Sequence, residues 1–221
     1  MTQPPQSIYL VRHAQSIGNE AGSYAVPDAG KLSERGQAQA RQLAEDLSGV
    51  EVDVVASSPL ERARGTIRPY LDARGQTGQV WAELAEGCNQ PYQDPAEATF
   101  DSLRYGPDLE LSDEEATHFT LTPGAYPACQ RPDEETFAEA LARVDLAHAR
   151  IEELLDGEAR SVLAVAHYHY LARLIERLLG IEPGPEKRFK LDNAAVAKLV
   201  KYDPDESYFA LRYVHRLDLP E

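Results

Sequence analysis

Short apolar runs alternate along the chain with longer stretches in which apolar residues return every three or four positions. SIYLV at 7–11, VDVVAS at 52–57 and SVLAVA at 161–166 are continuous enough to read as buried strands. Between the first two, 34–48 (ERGQAQARQLAEDLS) sets Ala40, Leu43, Ala44 and Leu47 on one helical face, with Ser33 as the predicted N-cap. After the second strand, 59–73 (PLERARGTIRPYLDA) carries an apolar stripe of Leu60, Ala63, Ile67 and Leu71. Ser58 is expected to cap that helix, with Pro59 as its first residue. A long helix from about 134 to 156 buries Phe137, Leu141, Val144, Ile151 and Leu155 and stops at Gly157. The third strand leads at once into a helix at about 169–179, closed by Gly180. Two last strands, about 194–202 and 207–214, are joined by the turn-like Asp203-Pro204-Asp205. Apolar strands alternating with amphipathic helices predict an α/β three-layer sandwich: a mainly parallel central sheet flanked by helices.

Residues 87–133 break the alternation. They hold Pro91, Pro95, Pro107, Pro123, Pro127 and Pro132 together with Tyr92, Tyr105 and Tyr126. A loop-rich stretch of this length is either a functional lid or a tolerated surface insertion, and the sequence leaves both open. Residues 1–221 are otherwise expected to form a single domain.

Composition narrows the class. The chain is long enough to bury a core without disulfide or metal staples, and 43% hydrophobic with 27% charged residues is ordinary globular composition. Acidic side chains number 37 against 22 basic ones, a net charge of −15. Such a surface does not hold nucleic acid or an anionic membrane by bulk charge. The apolar runs are too short to span a bilayer, and MTQPPQSIYLVRH lacks the pattern of a signal peptide. Cys88 and Cys129 are isolated thiols without C-x-x-C spacing; they could pair, but fit a reducing cytosol better, so a cytoplasmic location is expected. The oligomeric state is not legible.

Each of the three buried strands ends in polar residues: Arg12-His13-Ala14-Gln15-Ser16 and then Asn19, Ser57-Ser58 and then Arg62, and His167. Open α/β sheets bind ligands outside the carboxyl ends of their strands, so two arginines and two histidines are expected to meet in one crevice. Guanidinium groups give phosphoryl oxygens bidentate, charge-assisted hydrogen bonds, so the cluster suits a phosphoryl group. Singly, each residue has a plainer explanation: a structural Arg-His pair, a solvated helix face for Arg62, Arg64 and Arg68, a satisfied core histidine at 167. The convergence of three strand ends is what favours a site.

At this point the chain resembles a known family. LVRHAQSIGN (10–19) resembles the LVRHGxTxxN signature of the histidine phosphatase superfamily, the phosphoglycerate-mutase-like fold. LSERGQAQA (32–40), SSPLERARGT (57–66) and LAVAHYHYL (163–171) resemble that family's L[ST]xxGxxQA, SSxLxRAxxT and VxxVSHGxxxR segments, in the family's order. The resemblance implies a phosphomonoester hydrolase without metal or cofactor. His13 is then the nucleophile that becomes phosphorylated, while Arg12, Arg62 and His167 bind the phosphate oxygens and Asn19 lies on the phosphate side. The family's acid falls in VWAELAEG (80–87), where Glu86 directly precedes a glycine and is preferred to Glu83. Ala14 stands where the family has glycine, a small change. Tyr168 stands where it has glycine after the second histidine, which places a ring at the pocket floor or mouth.

Elementary chemistry agrees with those roles. A histidine nucleophile must be neutral at the attacking nitrogen, and two adjacent guanidinium groups disfavour imidazolium. Three other readings compete. His167-x-His169 could be a metal pair, but no cysteine or carboxylate cluster stands near it in the sequence. His118, His148 and His215 are isolated and read as surface or packing residues. A cofactor-dependent mutase would carry E-R-x-Y-G after the acid and H-G-N-S after the second histidine; this chain has Glu86-Gly87-Cys88-Asn89 and His167-Tyr168-His169-Tyr170. Between Cys88 and Gln130 it also offers eight acids against the single Arg104, a poor grip for a bisphosphate. If that segment is a lid, it disfavours polyanionic substrates. Last, an inactive phosphoester-binding module would be expected to lack the nucleophile or the acid, and both have candidates.

Overall fold

The protein is seen in a computed structural model, which describes residues 5–87, 111–122, 137–182, 188–203 and 206–215. Seven strands form one sheet in the order β4-β3-β2-β5-β1-β6-β7. They are β1 (Gln6–Arg12), β2 (Val54–Ser57), β3 (Gly78–Val80), β4 (Phe119–Leu121), β5 (Ser161–Ala166), β6 (Val196–Lys201) and β7 (Ala210–His215). The five strands from β4 to β1 run parallel, and β6 and β7 add antiparallel partners beyond β1. The helices are α1 (Ile17–Ala21), α2 (Glu34–Asp46), α3 (Glu61–Arg74), α4 (Phe137–Asp156) and α5 (Tyr168–Leu178).

Strand residues alternate between two cores. Ile8, Leu10, Val162, Ala164 and Ala166 face α4 and α5, packing on Val144, Ile151, Leu171 and Ile175. Tyr9, Val11, Val55, Leu163 and Val165 face α2 and α3, packing on Leu43, Ile67 and Leu71. Both faces of the central strands are therefore dry, which is why these strands read as continuous apolar runs. The expected three-layer sandwich is the fold observed.

One local expectation is corrected. Ser58 does not cap α3: the helix starts at Glu61 behind Leu60, with no side-chain cap. The Ser58 hydroxyl accepts from Leu60 N–H (3.3 Å) ahead of the helix and also meets the His167 ring (Oγ···Nε2 2.7 Å). The loop-rich 87–133 stretch holds two short elements among its described residues. Its residues Glu115–Thr117 form a 3-10 turn and Phe119–Leu121 the edge strand β4, with Phe119 buried. Arg64–Glu115 and Arg68–Glu114 ion pairs (both 2.6 Å) pin this piece to α3. The remainder of the candidate lid, 88–110 and 123–133, lies outside the described residues, as do Cys88 and Cys129.

Candidate active site

The parallel register puts the ends of β1, β2 and β5 side by side, with Arg12 opposite Ala166 and Ser57 opposite Val165. Backbone bonds continue one residue further: His13 N–H donates to Ala166 O (2.9 Å) and Ser58 N–H to Val165 O (2.9 Å). His13, Ser58 and His167 are thereby delivered to one crevice.

The His13 ring is 2% exposed. Its Nδ1 lies 2.7 Å from Ala14 O, an acceptor only, so Nδ1 carries the proton. Its Nε2 then accepts from Arg62 Nε at 3.2 Å. Burial is the main reason its pKa falls well below the usual histidine value; Arg62 and Arg12 push the same way, against the bond to Ala14 O. His167 lies 5.0 Å away, ring to ring, with Ser58 on its Nε2. Its pKa is likewise pushed well down, by burial first and then by Arg62, His13 and Arg12. Both rings are neutral in a cationic surround.

Arg62 is buried at the start of α3, and its guanidinium lies 5.1 Å from the centre of the Tyr24 ring. Arg12 donates from Nη1 to Leu191 O (2.8 Å), and its guanidinium lies 5.2 Å from the Tyr168 ring. Tyr168 is half-buried. Glu86 follows a 3-10 turn (Ala82–Leu84) after β3. Its Oε1 accepts from Gly87 N–H (3.1 Å) and Tyr170 N–H (3.4 Å). Loss of water is the largest influence on Glu86 and raises its pKa above the usual carboxyl value, with Arg62, those hydrogen bonds and Arg12 pulling the other way. Glu83 is turned to α4, where it pairs with Arg150 at 2.6 Å.

The sequence candidates His13, Arg12, Arg62, His167 and Glu86 are brought together. Asn19 sits beside them as a brace. Its Oδ1 accepts from Ser16 N–H (3.2 Å), closing the capping box of α1, and from Asn193 Nδ2 (3.2 Å), while its Nδ2 donates to Tyr24 Oη (3.0 Å). Three neighbours were not singled out from sequence, Thr66, Tyr24 and Asn193, while Ser58 was expected at the strand end and as a cap but not as the partner of His167. Thr66 Oγ1 accepts from Ala14 N–H (2.9 Å), and Asn193 Nδ2 also donates to His13 O (3.0 Å). Thr66 was within reach, as the threonine of SSPLERARGT. Asn193 sits in a turn where Ala194 has φ of 60°, with no periodic signal around it. His118 pairs with Asp72 (3.1 Å), and His169 lies edge-on to Tyr168. Among the described residues no three His, Cys, Asp or Glu side chains converge as a metal-ligand set, and no helix is long and apolar enough to cross a membrane.

The family model of the histidine phosphatase superfamily (branch 1) matches residues 8–213. The chain is 27% identical to the adenosylcobalamin/alpha-ribazole phosphatase of Escherichia coli K12 over 94% of its own length and 95% of that protein's. It is 28% identical to the probable phosphoglycerate mutase of Enterobacter sp. 638, over 87% of this chain and 83% of that one. In three dimensions it resembles the crystal structure of the alpha-ribazole phosphatase from Shigella flexneri, with a TM-score of 0.65, 25% identity and coverage of 97% and 100% of the two chains.

Proposed function

The chain belongs to the histidine phosphatase superfamily, and from that premise we propose that it hydrolyses small phosphomonoesters through a phosphohistidine on His13. The observation that carries this reading is the state of that ring. It is buried and neutral, its Nδ1 proton is committed to Ala14 O, and its Nε2 lone pair faces the Arg62 guanidinium.

In the first step Nε2 attacks phosphorus in line, the N–P bond forms and the bond to the leaving oxygen breaks. Arg62 turns its N–H groups from Nε2 to the phosphoryl oxygens, Arg12 supplies a second guanidinium, and His167 a ring N–H. Glu86, held toward its protonated form, gives its proton to the leaving oxygen. In the second step Glu86, now a carboxylate, takes a proton from water. The water oxygen attacks phosphorus, the N–P bond breaks and inorganic phosphate leaves with His13 neutral again.

The charge that meets the phosphoryl group in this scheme belongs to the two arginines. Turnover of an aryl phosphate is therefore expected to survive exhaustive chelation and to be lost in His13→Ala. Loss on chelation with recovery on adding a divalent ion, or full activity in His13→Ala, contradicts the reading. The Enterobacter relative favours a second reading, phosphoryl transfer between hydroxyls as in a mutase. A mutase assay alongside a panel of phosphorylated metabolites separates the two. The unpatterned cysteines, Cys88 and Cys129, favour a cytoplasmic setting for either.

A further inference from the structure

We propose that Arg143, on α4, is the positioning residue of the proton donor: its guanidinium clamps the turn that carries Glu86. The proposal rests on Glu86 acting as the acid.

The turn cannot hold itself. It leaves β3, makes a single 3-10 turn at Ala82–Leu84 and then exits at Ala85 in an extended conformation. Residues Ala82, Glu83, Leu84 and Ala85 are all buried. Carbonyls at the end of so short a turn have no helical partner, and burial denies them water. Arg143 answers them from α4. Its Nη1 donates to Glu83 O (2.8 Å) and Ala85 O (2.9 Å), and its Nη2 to Glu86 O (3.1 Å). A guanidinium is a rigid fork of donors, so three carbonyls bound by one group are fixed relative to one another.

The clamp is itself held. Arg143 is 2% exposed, and its guanidinium lies 5.3 Å from the centre of the Tyr170 ring. Tyr170 Oη donates to Arg143 O (3.2 Å), while Tyr170 N–H reaches Glu86 Oε1 (3.4 Å). Arg143 thus sets the backbone of Glu86, and Tyr170 connects the carboxyl to the same pair of helices. These bonds go to the turn of the acid and between the two helices, and none of them to His13, Arg12 or Arg62; the charge of Arg143 is felt at His167, and lysine keeps that charge. A defect in Arg143 should therefore act on proton donation more than on phosphate binding.

The test compares Arg143→Lys, Glu86→Gln and the double variant on alkyl phosphates and on aryl phosphates, whose leaving groups need no proton. Lysine keeps the charge and loses the fork. A misplacement of about 1 Å costs ~10²-fold, so kcat on alkyl phosphates should fall roughly ten- to a hundred-fold. The fall on aryl phosphates should be much smaller, and KM should move little. Adding Arg143→Lys to Glu86→Gln should cost almost nothing further on alkyl phosphates, because the group it positions is already gone. Equal losses on both substrate classes, no loss on either, or multiplicative losses in the double variant overturn the proposal. If Glu86→Gln itself shows no alkyl-to-aryl split, the acid assignment fails and the proposal falls with it; a split there without one in Arg143→Lys removes the proposal alone. Should Arg143→Lys not fold, Tyr170→Phe removes the Oη bond to Arg143 O and should show the same split at smaller size; its absence overturns the proposal.

Discussion

Two hydrogen bonds divide the His13 ring, one fixing the proton on Nδ1 and the other engaging the Nε2 lone pair. The division makes a prediction about pH. His13 and His167 are both shifted well below the usual histidine value, so neither gains a proton as pH falls through about 6.5. Glu86 is shifted the opposite way and keeps its proton to higher pH than an ordinary carboxyl. For an alkyl phosphate, kcat/KM should fall as pH rises through the raised Glu86 pKa, since the donor must be protonated, and should show no histidine limb near 6.5 on the acid side. Comparing wild type with Glu86→Gln on one substrate divides out the substrate's own ionisation: only wild type should carry the Glu86-dependent fall. An acid limb at an ordinary histidine value, or identical profiles in the two enzymes, would show the protonation states to be misassigned.

At the scale of elements, the second sequence motif is a scaffold for the first. Ser33 caps α2 through Gly36 N–H and binds Gln15 Oε1 (2.8 Å), while Gln39 Oε1 accepts from Gln15 N–H (2.8 Å). Gly36 lets the helix lie against the nucleophile loop: a Cβ there would stand 1.9 Å from Gln15 O, a backbone atom that cannot swing aside. Gly36→Ala should cost about 1–3 kcal/mol of stability by overpacking, and so lower Tm by roughly 2–4 °C per kcal/mol for a chain of this size. Gly30→Ala is the control, because nothing lies within 4 Å of its Cβ. Equal melting of the two variants would contradict the packing. The elements that were legible are those whose apolar residues repeat over several turns or form long dry runs, such as α2, α4, β1 and β5. β4 was not legible: three residues, Phe-Thr-Leu, at a sheet edge have no room for a period. Ser58 misled because the helix begins at Glu61 rather than at Pro59, and the hydroxyl binds both Leu60 N–H and the His167 ring, a partner only the fold brings to it. Arg143 was hidden on the buried side of a good amphipathic helix. A charged residue next to Val144 on that side was the available signal, and its three carbonyl partners are nearly sixty residues away in sequence.

Over the whole molecule, the sheet gathers positive charge to a few positions in a chain that is strongly negative. Of the candidate residues, Arg12 ends β1 and Arg62 lies in the first turn of α3 beyond β2, while the net charge is −15. The sequence anticipated this crevice because Arg12 ends one apolar strand and His13, Ser58 and His167 directly follow three of them, so that strand order alone brings these four together. It did not reveal the bracing from Thr66, Asn193 and Arg143, which depends on packing between elements far apart in the chain. The account turns on a covalent bond between His13 Nε2 and phosphorus, and trapping that bond tests it most directly. Enzyme mixed with a phosphate-labelled substrate and quenched within the first turnover should carry an acid-labile, base-stable label that maps to the peptide containing His13 and is absent from His13→Ala. Label on another residue, or a burst of product from an enzyme that never becomes labelled, would contradict it.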